Sequence, residues 1–279
     1  MKKILLACGG DHFPQGALEF AAAMNKHEKI WLKGFFLPSM DYSRLPSFAY
    51  ANDYETGFIP PDFYDQEEKI MNKHITQFQN VCEEHAIAYK VYKHTGFESL
   101  QGLIDETRFS DIALVESRHF FSAMDSTQPN AEMNQLLHDT ECPVLLLPEK
   151  SEMPGNVIFA YDGEDSCMAA IKQFSLLMTG YTGLPLALAY FSSSSEEKLP
   201  YDETVTEYIR CHYRDFTIKI SDSESAKDLD SWIAEFPNPM IITGSYSRSG
   251  LSRVFKKSFI SAVIANDQFP VFLFHGNKK

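Results

Sequence analysis

The chain has 279 residues, which is long for one core and comfortable for two domains, and its 44% hydrophobic and 23% charged residues are ordinary for a globular protein. Its formal net charge of -13 disfavours non-specific binding to nucleic acid or to an anionic membrane, because either surface would repel the protein. No apolar run approaches the ~20 residues of a membrane-spanning helix. We therefore expect neither nucleic acid nor a membrane as a partner.

The five cysteines are widely spaced and form no CxxC pair, which argues against a disulfide framework and against a zinc site. The residues before Cys8 are similar to a lipoprotein cleavage box, but their apolar run is shorter than the roughly seven residues that a secretory segment needs. The spacing of the cysteines therefore predicts a protein of the reducing cytoplasm. Because Cys8 and Cys142 fall in predicted strands, we expect their thiols to be buried and inert.

The predicted elements of the first half begin with an apolar strand at 4–8, which runs into a glycine turn. A helix follows over 15–24, since its apolar residues recur at helical spacing. Two further apolar runs, at 111–115 and 142–147, are predicted strands. Unbroken apolar runs of this kind are typical of strands that are buried on both faces of a sheet.

An aromatic stretch punctuated by prolines lies between these elements, at 38–68, and it has no clear period of a helix or a strand. One interpretation is an irregular loop packed over its own domain, because exposing so many rings would favour aggregation. The other interpretation is a lid over a ligand cleft, or an arm that docks on a partner. The sequence leaves both open.

The second half repeats the first. A strand with its glycine turn, a helix and two apolar runs recur at 157–163, 166–178, 239–243 and 269–274. The alternation of strands and helices predicts parallel sheets. We therefore expect an α/β fold of two tandem doubly wound domains, each with about five strands and with helices on both faces of its sheet.

The two copies set the expected domain boundaries. We place domain 1 at 1–148, with the aromatic insertion near 38–68, and domain 2 at 156–275. The linker between them, 149–155, is rich in polar residues, proline and glycine. Because this linker is short, we expect the two domains to be in direct contact.

The most informative motif is the loop 244–253, which is rich in small residues and is followed by Lys257 and Ser258. A loop of small residues that leads from a strand into a helix suits phosphate binding. The spacing resembles the frame of the universal stress protein family, which is glycine, two residues, glycine, nine residues, then glycine followed by serine or threonine. Gly244 and Ser258 match this frame, whereas Ser247 and Lys257 replace its second and third glycines.

The resemblance implies a tandem member of this family, with a three-layer α/β/α fold like that of the adenine nucleotide alpha hydrolases. It also implies that the two units pair through their last strands, and we expect them to face one another as an intramolecular pseudo-dimer. In nucleotide-binding members an aspartate after the first strand lies near the adenosine or the metal, and Asp162 falls at that position. The cofactor-binding residues that the resemblance implies are Asp162, Gly163, Gly244, Ser245, Ser247, Arg248, Gly250, Lys257 and Ser258.

The ligand that the resemblance implies is ATP or another adenine nucleotide with Mg²⁺. The two lost glycines weigh against this ligand, because Ser247 and Lys257 lack the backbone freedom of glycine. The Lys257 side chain either fills the phosphate space or replaces an N–H donor with its ammonium group. Both outcomes are chemically sensible, and the sequence does not choose between them.

The corresponding loops of domain 1 lack the pattern. Gly9 stands where domain 2 has Asp162, and Glu116 stands at the position of the opening glycine. A carboxylate there would repel a phosphate unless a metal intervenes. We therefore expect no nucleotide in domain 1.

The nine histidines show no metal-ligand spacing, and no serine or cysteine elbow is present, so we assign no catalytic and no metal-binding residue. His12 and His119 fall on ligand-side loops if the two copies superpose. They are therefore the two histidines to note as metal or acid–base candidates.

Two functions fit these residues. The favoured one is a stress-response protein without strong catalytic activity, which acts through its interaction surfaces and senses a small ligand. The alternative is an adenine-nucleotide-binding regulator with slow hydrolysis in domain 2. A third interpretation makes the aromatic insertion a lid over an apolar ligand. The sequence does not decide between a single tandem chain and a homodimer of such chains.

Overall fold

The computed structural model describes residues 1–9, 12–38, 63–94, 99–120, 130–150, 152–192, 198–222, 233, 235–244 and 267–276. The elements of the first half are β1 Lys2–Gly9, α1 Gln15–His27, β2 Ile30–Leu37, α2 Phe63–Glu84, β3 Ala88–Lys93, α3 Ser99–Thr107, β4 Ile112–Glu116, α4 Ala131–Asp139 and β5 Val144–Leu147. Those of the second half are β6 Asn156–Tyr161, α5 Asp165–Leu177, a 3-10 turn Thr179–Tyr181, β7 Leu186–Ser192, α6 Asp202–His212, β8 Phe216–Asp222, β9 Pro239–Thr243 and β10 Val271–Leu273.

The described strands form one continuous sheet in the order β3-β2-β1-β4-β5-β10-β9-β6-β7-β8. Each half supplies five parallel strands in the equivalent order, which confirms the predicted fold of two tandem doubly wound units. The halves join through their last strands, since β5 and β10 pair antiparallel with Leu145 opposite Phe272. This is the pairing that the family resemblance implied. The two sheets do not face one another, however. Their last strands are neighbours, and the two sheets therefore form one continuous sheet.

The antiparallel join has a consequence for ligand binding. The strands of the first half run opposite to those of the second half, because β5 and β10 are antiparallel and the other neighbours within each half are parallel. The carboxyl ends of the two sets of strands therefore lie at opposite edges of the sheet. Loops that follow β1 and β4 are remote from loops that follow β6 and β9.

Helices cover both faces of the sheet because its strands are apolar on both sides. In β1, Ile4 and Leu6 belong to the buried cluster that contains side chains of α1, α2, α5 and α6. Leu5 and Ala7 belong to the opposite cluster, which contains side chains of α3 and α4. The alternation of side chains along a strand gives these two cores, and the layers are therefore helix, sheet and helix.

The aromatic stretch predicted at 38–68 is shorter than expected at its carboxyl end. Helix α2 already begins at Phe63, so the interpretation of 63–68 as irregular was wrong. The remainder, 39–62, lies outside the described residues. The domain boundaries and the linker at 149–155 stay predictions.

The cysteines agree with the prediction for the two strands. Cys8 and Cys142 are both 4% exposed. Burial raises the pKa of both thiols, that of Cys142 to about 12, which keeps them protonated and unreactive at neutral pH. Among the described helices, none is both long enough and apolar enough to cross a membrane.

Candidate functional site

Each half of the sheet has a crevice where its strand order reverses. In the first half this point lies between β1 and β4, and in the second half between β6 and β9. Ligands of open parallel sheets bind beyond the carboxyl ends of the strands at such points. The described strands therefore form two candidate crevices, one at each end of the strands.

The structure places three of the predicted site residues in the second-half crevice. Asp162 and Gly163 follow β6, Gly244 follows β9, and these two strands are parallel neighbours. Asp162 and Gly244 therefore end adjacent strands at the same edge. The other predicted residues, which are Ser245, Ser247, Arg248, Gly250, Lys257 and Ser258, lie outside the described part of the chain.

Asp162 and Gly163 form the turn that leads from β6 into α5. The backbone N–H of Glu164 donates a hydrogen bond to Oδ1 of Asp162 at 3.0 Å. Gly163 has a φ of +81°, and a Cβ atom there would lie 2.8 Å from Cβ of Pro200. The turn thus requires glycine for its backbone conformation and for its contact with Pro200. These contacts account for both residues without a ligand.

Gly244 has a packing role at the start of α5. A Cβ atom at this position would lie 2.5 Å from the backbone nitrogen of Cys167 and 2.6 Å from the carbonyl carbon of Ser166. Both atoms belong to the helix backbone and cannot move independently of it. Gly244 therefore lets the end of β9 approach the first turn of α5, which a larger residue would prevent.

The charges beside this turn oppose an anion. Glu164 is the N-cap of α5 and Asp165 lies in its first turn, and both are exposed close to Asp162 in the chain. Carboxylates in these positions stabilise the helix through its dipole. They also repel phosphate, so a nucleotide here would need a cation such as Mg²⁺, or the basic residues of the loop after Gly244, to offset them.

The first-half crevice holds a cluster of histidines and carboxylates. Glu116 ends β4 and is 4% exposed, and its Oε1 lies 3.1 Å from Nε2 of His12. The rings of His12 and His119 stack with their centroids 3.9 Å apart and 24° between their planes. Nε2 of His119 lies 3.6 Å from Oε2 of Glu149. The loops after β1, β4 and β5 each contribute to this cluster.

The second half contributes one further carboxylate to this crevice. Asp267 precedes β10, which pairs with β5, and the hydroxyl of Ser117 donates a hydrogen bond to its Oδ1. Burial raises the pKa of Asp267, although this bond acts in the opposite direction. The crevice is therefore completed by a residue 150 positions away from Ser117.

Burial also controls the ionisation of Glu116. Burial, together with the smaller effect of the negative charges of Glu149 and Asp267, raises the pKa of this carboxyl to about 8. A carboxyl group with this pKa is mostly protonated at neutral pH. The cause is the loss of water around the group, which penalises its charged form.

Sequence reasoning identified only part of this cluster. It noted His12 and His119, and it singled out Glu116 as incompatible with phosphate, but it assigned no site to them. Glu149 was treated as linker, and Asp267 was not considered. A local signal was present for Glu149, since it follows the last strand of the first half at the edge where ligands bind.

Comparison with known proteins shows the fold. No protein-family model matches the chain, and no curated protein matches it. The solved structure of a universal stress protein from Archaeoglobus fulgidus DSM 4304 is similar, with 15% identity, a TM-score of 0.66, and coverage of 97% of this chain and 96% of that chain. A putative universal stress protein from Pseudomonas aeruginosa UCBPP-PA14 is 13% identical, with a TM-score of 0.54 and coverage of 99% and 93%.

A third similar structure is a domain of a different kind of protein. The cytoplasmic domain of a prokaryotic cation chloride cotransporter is 8% identical, with a TM-score of 0.50, and the match covers 100% of this chain and 97% of that one. At such identities the similarity establishes the fold, which is that of the universal stress proteins. It confirms the resemblance drawn from the motif at the level of fold. Since one fold serves different functions, the site must decide what the chain does.

Proposed function

We propose that the chain is a universal stress protein that works in stress-response regulation by binding, without strong catalytic activity. The fold supports this proposal, because the match to the Archaeoglobus protein spans nearly the full length of both chains. The observation that carries it is the buried carboxylate of Glu116, which stands at the opening-glycine position of the first-half crevice. Its side chain occupies the place of a glycine of the phosphate-binding frame, and a phosphate there would also face the negative charges of Glu149 and Asp267.

The neighbours of Glu116 strengthen the argument. Glu149 and Asp267 both act on it as negative charges. A nucleoside triphosphate would add further negative charge beside these carboxylates, which would repel it. The first-half crevice thus favours a cation or a neutral ligand over a nucleotide.

An adenine-nucleotide-binding regulator remains the second candidate, and one observation favours it. Asp162 and Gly244 end neighbouring strands at the switch point of the second half, where the family resemblance places nucleotide-binding residues. In this candidate Mg²⁺ offsets the carboxylates of the α5 turn, Arg248 and Lys257 neutralise phosphate charge, and hydrolysis is slow.

Isothermal titration of the full chain with ATP, with and without Mg²⁺, separates the two candidates. The parent is compared with Asp162→Ala and with Asp215→Ala, a matched control in the exposed loop before β8, at the opposite edge of the sheet. Lys257→Gly restores one of the lost glycines. We expect no binding by the parent at up to about 1 mM ATP, which corresponds to a dissociation constant weaker than this concentration.

Each outcome of the titration decides between the two candidate functions. Binding that Asp162→Ala removes and Asp215→Ala leaves intact would overturn the binding-only proposal and establish a nucleotide site in the second half. Phosphate release in the same samples would then measure hydrolysis. Binding seen only in Lys257→Gly would support the proposal, since it would show a nucleotide crevice closed by one lysine.

A further inference from the structure

We propose that the first-half crevice is a binding site for one divalent transition-metal ion of the Zn²⁺ class, held by His12, His119 and Glu149, with the buried carboxyl group of Glu116 beside His12. This goes beyond the proposed function, because neither of its candidates names the ion that binds in this crevice or the residues that hold it. The site would make the first half a metal-responsive unit.

The distances between the side chains suit one ion. A nitrogen of His12, a nitrogen of His119 and a carboxylate oxygen of Glu149 all lie within 4.8 Å of one another. Metal–ligand bonds to nitrogen and oxygen are about 2.0–2.2 Å long, so neighbouring ligands of a tetrahedral zinc ion are about 3.3–3.6 Å apart. The separation of 3.6 Å between Nε2 of His119 and Oε2 of Glu149 meets this requirement.

The burial of Glu116 is an independent observation that points to a cation. Neither of its carboxylate oxygens has a hydrogen-bond partner among the described residues, although His12 is close to one of them. Burying a carboxylate without hydrogen bonds is costly, unless it is paired with a charge or coordinates a metal. A cation bound beside His12 would offset the charge of this buried carboxylate, whose oxygens have no hydrogen-bond partner in the part of the chain that the structure describes.

The crevice is both acidic and accessible. Glu116, Glu149 and Asp267 bring three carboxyl groups to it, against the two histidines and the Arg118 guanidinium that acts on Asp267. The side chains of His12 and His119 are 31% and 30% exposed, so an ion can enter from solvent. The hydrogen bond from Ser117 holds Asp267 beside the cluster.

The donor atoms select the class of ion. Two imidazole nitrogens combined with carboxylate oxygens suit Zn²⁺ and its neighbours among the transition metals. Mg²⁺ and Ca²⁺ prefer sites made of oxygen ligands. A ligand set drawn from both histidines therefore predicts preference for Zn²⁺ or Co²⁺ over Mg²⁺.

The test uses the full chain, freed of metal with a chelator and titrated with Co²⁺, whose visible absorption reports tetrahedral coordination. Zn²⁺ is then added as a competitor, and Mg²⁺ is the negative control, because this site should not bind it. We expect one equivalent of Co²⁺ to bind, Zn²⁺ to displace it, and Mg²⁺ to leave the spectrum unchanged. No nucleotide is present, so this result is independent of the titration with ATP.

Single-residue variants test whether the ion binds at the proposed residues. His119→Ala and Glu149→Gln should each weaken Zn²⁺ binding by at least about tenfold, because losing even an outer partner of a metal ligand typically costs about 10–100-fold. The matched control is His138→Ala, which removes an exposed histidine in the last turn of α4 that also contacts a carboxylate, Asp139, at 2.7 Å. This control should bind Zn²⁺ like the parent.

Two results would overturn the proposal. One is an absence of saturable Co²⁺ or Zn²⁺ binding by the parent, which would identify the cluster as an ion-pair network only. The other is equal weakening in His138→Ala, which would indicate non-specific binding by surface histidines. Circular dichroism checks that each variant is folded, and Glu149→Gln keeps the test decisive if His119→Ala unfolds, because the Glu149 side chain is 37% exposed and its replacement is isosteric.

Discussion

The ring of Phe20 in α1 lies parallel to the ring of Tyr181 in the 3-10 turn, with their centroids 5.8 Å apart and 7° between their planes. Phe20 is fully buried and Tyr181 is 7% exposed. This contact joins the two halves through their helical layer, while β5 and β10 join them through the sheet. The halves are therefore fixed to each other at two levels of the structure.

Replacing Tyr181 should separate the role of its ring from that of its hydroxyl. Tyr181→Ala should lower the free energy of unfolding by about 3–5 kcal/mol, because it leaves a cavity at the contact between the halves. Tyr181→Phe should cost less than about 1 kcal/mol, or stabilise the protein, because the buried hydroxyl has no hydrogen-bond partner among the described residues. Denaturation by urea, followed by circular dichroism, measures both. A larger loss in Tyr181→Phe would show that the hydroxyl is hydrogen-bonded.

Gly244 gives a prediction about packing that does not depend on any ligand. Gly244→Ala should lower the free energy of unfolding by about 1–3 kcal/mol, because its Cβ would overlap the backbone of α5. The matched control is Gly183→Ala, where a Cβ would meet no atom within 4 Å. It should be neutral or stabilising by about 0.4–1 kcal/mol, since alanine restricts the unfolded chain. Equal stability of the two variants in thermal unfolding would contradict the close approach of β9 to α5.

Glu106 gives a prediction about pH. Its Oε1 accepts a hydrogen bond from Lys3 at 2.8 Å, and its Oε2 lies 2.6 Å from Nζ of Lys33. Burial favours the neutral form of Glu106, but the two lysines outweigh this effect and lower its pKa. A lowered pKa in the folded state means that the ion pairs stabilise the protein above the unfolded value of about 4.3, and that this stabilisation disappears as the pH falls through the folded pKa.

The parent should therefore be more stable than Glu106→Gln by about 2 kcal/mol at pH 7, a value reduced by the partial exposure of the three side chains. The difference should shrink below about pH 4. Urea unfolding at a series of pH values measures it. The matched control is Glu68→Gln, because Glu68 pairs with Lys93 at 2.8 Å on the surface and should contribute little. A constant difference between parent and Glu106→Gln across this range would show that the carboxylate charge is not what stabilises the fold.

Much of the fold follows from local patterns. The apolar runs at 111–115 and 239–243 correspond to β4 and β9, and the apolar spacing after residue 15 corresponds to α1. Such patterns report burial, and burial on both faces requires a parallel sheet covered by helices. The start of α2 was not predicted, because the aromatic residues and prolines before residue 68 show no helical period.

The candidate site was less accessible to sequence reasoning. Asp162 and Gly244 could be placed at one edge, because each follows a strand and neighbouring parallel strands end together. In the structure Asp162 forms part of the turn before α5, and Gly244 packs against the first turn of that helix. Neither role could be predicted from the motif. The proximity of His12 to Glu116 depends on β1 and β4 being neighbours, although more than 100 residues separate them.

By itself, the sequence determined the repeated α/β units, their buried strands and the charges that disfavour phosphate in the first half, because hydrophobic period and residue chemistry are local properties of the chain. Only the tertiary structure decided that β5 and β10 join the units into one sheet and that Asp267 reaches the crevice of the other half. These contacts depend on strand order and direction, which are set by packing between distant segments. The histidine and carboxylate cluster exists for the same reason.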